Sequence, residues 1–93
     1  MDNYVLIQKR VPVIARFSMG DERLICTPIK MRHNGQEITF TELGMRHPTT
    51  KGKRMVHVFD VSDGQTDYRL EFDAASLRWE LISAWEVTSW TYN

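Results

Sequence analysis

One cysteine, three histidines and several spaced carboxylates are the residues of this 93-residue chain that could carry chemistry. Cys26 lies mid-strand among apolar neighbours, where a thiol behaves as a small inert hydrophobe rather than as a nucleophile. Ser62, Ser76 and Ser83 fall at turns or strand ends, and no Gly-x-Ser-x-Gly elbow surrounds any of them. His33, His47 and His57 are 14 and 10 residues apart, without the i, i+4 pair or Cys-x-x-Cys knuckle of a metal site. Asp60, Asp63 and Asp67 flank an Asp-Gly turn, but Gly64 stands at the wrong offset for a calcium loop. Glu71 and Asp73 share a solvated strand face, which leaves neither with the desolvation that raises a general acid's pKa. Phosphate-binding glycine motifs are absent. The expectation is a chain that is not an enzyme and needs neither cofactor nor metal.

Binding is the remaining class of function. Arg46, Lys51, Lys53 and Arg54 cluster in one segment, and Lys30 and Arg32 end an earlier strand. Such cations contact phosphates, and exposed aromatics beside them stack on bases. Trp85, Trp90 and Tyr92 near the C-terminus are instead candidates for protein contact, because a tryptophan in a tail either docks or sticks. The expectation is a binding or assembly module acting on a protein partner or a second copy. Nucleic-acid binding through the 44–54 segment is the alternative.

Composition narrows this further. Net charge is zero and the pI is about 6.8, against the basic balance usual in nucleic-acid-binding domains. The charges are unevenly placed: residues 1–54 hold ten Lys/Arg and five Asp/Glu, whereas residues 55–93 hold two and seven. Oppositely charged halves either mark a binding face or pair across neighbouring strands. A single cysteine excludes an intramolecular disulfide and fits a reducing compartment. No apolar run approaches the roughly 20 residues of a membrane-spanning helix. Tyr4-Val5-Leu6-Ile7 is too short for a signal-peptide core, so a cytoplasmic location is expected.

The elements that must position these residues are strands. Residues 54–82 carry the clearest pattern, with Val56 and Val58 on one face of a strand and His57, Phe59 and Val61 on the other. Tyr68, Leu70 and Phe72 then alternate with charged residues, as do Leu77, Trp79 and Leu81. A period of two scatters apolar groups around a helix axis but gathers them on one sheet face. Asp63-Gly64 and Asn34-Gly35 both predict type I′ hairpin turns, which need positive φ at two positions. Earlier strands are expected over 11–18, 23–32 and 37–43, with residues 3–9 as a lead-in strand or arm. Pro12 places the 11–18 strand at an edge or marks its start. Pro28 stands where the apolar parity of the next strand switches, which predicts a bulge or bend. The predicted fold is all-β: an antiparallel meander of five to six strands, bent near Pro28 into a partly closed barrel. Residues 44–53 are expected as a mobile basic loop and 88–93 as an aromatic tail.

This layout resembles that of a group of short, uncharacterised bacterial β-domains. The likeness covers residues 11–82 and is carried by Pro12-Val13-Ile14-Ala15-Arg16-Phe17, Pro28-Ile29-Lys30, Asn34-Gly35, Tyr68-Arg69-Leu70-Glu71-Phe72-Asp73 and Trp79-Glu80-Leu81. It implies the fold and brings no activity with it.

Overall fold

The computed structural model describes residues 2–20 and 24–87, which form eight strands and no helix. Arg23 and the aromatic tail, with Trp90 and Tyr92, lie outside the described residues. A five-stranded antiparallel sheet has the order β1 (Asp2–Arg10), β8 (Arg78–Val87), β7 (Thr66–Asp73), β6 (Arg54–Ser62), β5 (Glu42–Lys51). A three-stranded sheet has the order β2 (Val13–Met19), β3 (Leu24–His33), β4 (Gln36–Thr39). The expected 54–82 meander is β6–β7–β8, the middle of the larger sheet. The expected count of five to six strands becomes eight, in two sheets. Among the described residues no ladder joins them into a closed barrel.

The core lies between the sheets. Phe59 and Val61 from β6, Leu70 and Phe72 from β7, and Trp79 and Leu81 from β8 are buried on the inner face, joined by Met31 and Val11. Val13, Ala15, Cys26, Ile38 and Phe40 pack on this cluster from the smaller sheet and its exit. Phe72 and Trp79 are opposite in register, with ring centroids 4.6 Å apart. Cross-strand aromatic pairs of this kind stabilise a sheet beyond their buried area. Leu70, Phe72 and Trp79 are buried together as the pattern predicts. Val58 is also buried, but on the opposite face of β6, outside that cluster.

Two corners carry the chain between the sheets. At the first, Val11 N–H donates to Trp79 O and Arg32 N–H to Pro12 O. At the second, Phe40 N–H donates to Ile29 O and Thr41 N–H to Ser62 O. The second corner divides the strand expected over 37–43 into the end of β4 and the start of β5.

Several local readings change. Residues 44–53, expected as a loop, are mostly β5, with only Gly52-Lys53 turning into β6. Pro48 is tolerated there because β5, among the described residues, is an edge strand with one unpaired side. Asn34 and Gly35 have φ of 51° and 75°, as a type I′ turn requires. At the other predicted type I′ turn only Gly64 has positive φ. There Asp63 Oδ1 instead accepts from the Gln65 and Thr66 amides at 2.9 and 2.8 Å, an Asx arrangement that closes a three-residue connection. Leu77, expected in a strand, sits in the β7–β8 turn with φ 58° and lies exposed. The Pro28 prediction holds: Ile14 pairs with Lys30 and Ala15 with Pro28, leaving Ile29 as the extra residue of a bulge.

Candidate functional site

The outer face of the larger sheet divides into two chemically different ends. Register places Tyr4, Trp85, Asp67, Ser62 and Glu42 in one row that crosses all five strands. The next row runs Leu6, Ser83, Arg69 and Asp60, and ends at a bulge in β5. That bulge holds Gly44, where a β-carbon would stand 3.3 Å from the Asp60 carbonyl oxygen. Glycine here lets β5 approach and leaves the sheet surface bare. The result is a hollow of about 450 Å³ lined by Gly44 and by the residues of both rows except Leu6. Tyr4 and Trp85 meet edge to face at 6.3 Å and 88°. Arg69 is held fork to fork by Asp60, Nε at 2.8 Å and Nη2 at 3.1 Å, and that hydrogen bond keeps its guanidinium protonated. No cation pairs with Glu42 or Asp67 among the described salt bridges.

The opposite end of this face is an ion-pair ladder. Lys51 Nζ is 2.9 Å from Glu71 Oε1, and Arg54 pairs with Asp73. Both pairs join the basic first half of the chain to the acidic second half. Val56 and Val58 lie in the adjacent rows, and the aliphatic stems of such long side chains cover neighbouring apolar surface. This accounts for burial of both valines on a face that no second layer covers among the described residues.

The basic residues proposed for phosphate contact are thus largely committed elsewhere. Lys30 pairs with Glu37 at 3.3 Å, and Arg32 donates to Gly35 O. Arg46 reaches from β5 to the Cys26 carbonyl on β3 and so bridges the two sheets. Lys51, Lys53 and Arg54 come together at the β5–β6 turn, but Arg46 and the Lys30/Arg32 pair lie apart from them. Cys26 is half-buried, and burial raises its thiol pKa against the opposing pull of Arg46. The thiol therefore favours its unreactive protonated form. Burial and the charge of Lys9 push the His33 pKa down. Among the described residues no group of three His, Cys, Asp or Glu is placed to hold a metal ion.

Two edges of the structure are conspicuously apolar. On β1, which among the described residues pairs only with β8, Tyr4, Val5 and Leu6 are 60%, 54% and 58% exposed in succession. On β2, the edge of the smaller sheet, Ile14, Phe17 and Met19 are exposed. Phe17 leans over a cleft of about 500 Å³ between the sheets, whose other wall includes Pro48, His57 and Phe72.

Comparison with known proteins yields no matching family model, no similar curated protein and no similar solved structure. The likeness over residues 11–82 therefore rests on layout alone. Of the residues proposed for protein contact, Trp85 lies at the hollow beside the β1 edge, 46% exposed. Residues 3–9, expected as a lead-in strand or an arm, are a strand and form most of β1; its pairing with β8 and its place at the edge of the larger sheet were not part of that expectation.

Proposed function

We propose that this chain is a non-catalytic binding module that works by protein–protein contact at the β1 edge. The observation that carries this reading is the run of three exposed apolar residues, Tyr4 to Leu6, on a strand with one side unpaired among the described residues. An edge of that kind presents free backbone donors and acceptors together with apolar side chains, which is what an added strand requires. Lysine, proline, a bulge or a covering loop blunts an edge; on β1 the bulge at Gln8 and the basic Lys9 and Arg10 come after the Tyr4 to Leu6 run, which itself carries no charge. Trp85, packed on Tyr4, extends the apolar surface from the edge onto the outer face. The crossings at the two corners support a half-open barrel as the frame of this module, one that leaves sheet edges available.

Nucleic-acid binding at the basic turn is the weaker reading, because Lys51 and Arg54 are neutralised by Glu71 and Asp73. Size exclusion with light scattering separates the two, run on wild type and Val5→Lys at low and high salt with mixed oligonucleotide added. A salt-insensitive wild-type dimer that Val5→Lys returns to monomer supports edge pairing. A monomer in both that takes up oligonucleotide only at low salt overturns it, since phosphate contacts impose steep salt dependence.

A further inference from the structure

The hollow on the outer face has a chemistry that the edge alone does not explain. Its two aromatic rings meet at 88°, so they form two walls of a corner rather than a flat stacking platform. Trp85 is half-exposed and Tyr4 more so, which leaves ring surface open to a ligand. Facing the rings along the same row are Asp67 and Glu42, while the Asp60 carboxylate is already neutralised by Arg69. Three carboxylates against one guanidinium leave this end of the sheet with a surplus of two negative charges. The chain as a whole is neutral, so the surplus is a local feature and not a consequence of composition.

An aromatic corner with uncompensated carboxylates opposite is suited to one class of ligand. A cation lies favourably over the electron-rich ring faces, and its charge is balanced by the carboxylates beyond them. A sugar would use the rings but has no need of the surplus charge, and an anion or phosphate would be repelled by it. We propose that this hollow seats a lysine or arginine side chain of the protein partner. The aliphatic stem lies in the corner between Tyr4 and Trp85, and the charged head reaches Asp67 and Glu42. The proposal rests on the reading of the chain as a protein-binding module and adds the partner's chemistry. A strand added beside β1 runs next to Tyr4 and Leu6, so its outward side chains start at the mouth of the hollow.

The test uses small probes that need no added strand. The full chain, labelled with ¹⁵N, is titrated with N-acetyl-arginine methylamide and, separately, with N-acetyl-norleucine methylamide. The arginine probe should produce saturable shifts at the amides of Tyr4 and Asp67 and at the Trp85 indole, and the norleucine probe should not. Trp85→Ala should weaken arginine binding by about threefold to fivefold, in line with a cation–π contact at a part-exposed site. The double variant Glu42→Gln, Asp67→Asn keeps shape and exposure, and should weaken it by more than about fivefold. Equal shifts from both probes, no shift at all, or undiminished binding in the double variant would each overturn the proposal. Val5 points to the opposite face of β1 from Tyr4, so Val5→Lys should leave probe binding intact. Loss of edge pairing and loss of cation binding are therefore separately readable.

Discussion

The guanidinium of Arg54, at the start of β6, pairs with the carboxylate of Asp73, at the end of β7, although 19 positions separate them in the chain. The solvated face expected for Glu71 and Asp73 is not found: Asp73 is buried on the outer face and Glu71 is largely covered, each under its basic partner. Asp73 also accepts from the Ala75 amide at 3.0 Å. One carboxylate thus terminates β7, organises the following turn and anchors the first residue of β6. The pair shows how this protein uses its divided charge: basic residues of the first half are spent on acidic residues of the second, within one sheet.

Asp73 should leave a mark on acid stability. Burial alone would raise its pKa, but the amides of Ala75 and Ser76 and the charge of Arg54 outweigh that, holding it below the ordinary value of 3.8. A carboxylate depressed in the folded state stabilises fully above its unfolded pKa, and that contribution is lost as pH falls through the lower folded value. Thermal melts of Asp73→Asn should show a lower Tm than wild type at neutral pH, with the gap closing below about pH 4. A gap that is constant from pH 7 to strongly acidic solution would refute this role.

Replacing Lys51, Lys53 and Arg54 together by alanine should register as a loss of stability rather than of nucleic-acid affinity. Lys51 and Arg54 are exposed, so screening by solvent limits the two pairs together to roughly 1 kcal/mol or less. For a domain of this size that is a fall in Tm of a few degrees, on the scale of about 4–8 °C per kcal/mol. The measurement is a melting curve paired with oligonucleotide binding at low salt. A variant of unchanged Tm that loses salt-sensitive oligonucleotide binding would return the function to this turn.

The β3–β4 hairpin depends on Gly35. Its φ of +75° lies in the left-handed region, and nothing stands within 4 Å of the place a β-carbon would take. The penalty for Gly35→Ala is therefore conformational rather than steric, on the order of 1 kcal/mol. Urea titration should show a lower midpoint at unchanged slope. No change in midpoint would mean that the turn relaxes without cost.

The local chemistry of the strands was legible in the chain. Alternation at Tyr68, Leu70 and Phe72, the Asn34-Gly35 turn and the parity switch at Pro28 each report on near neighbours, and each is found where the pattern puts it. Faces beyond a bulge were not legible. Trp79, Leu81 and Trp85 share one parity, yet the first two are buried in the core and Trp85 lines the outer hollow. The reason is Ile82, an extra residue against β7 that reverses the alternation between Leu81 and Ser83. Bulges at Gly44–Met45 in β5 and at Gln8 in β1, where φ is 52°, act in the same way. Counting by twos cannot see them, because a bulge is selected by the partner strand and by the closing of the sheet.

What the sequence determined by itself is an all-β chain, its hairpin at Asn34-Gly35 and the β6–β7–β8 meander, all set by side-chain period and turn residues within a few positions. The division into two sheets, the pairing of β1 with β8 and the row from Tyr4 to Glu42 were decided only by tertiary structure. Those pairings join residues tens of positions apart, and their register follows from burying both inner faces at once, a condition that no single stretch of the chain contains.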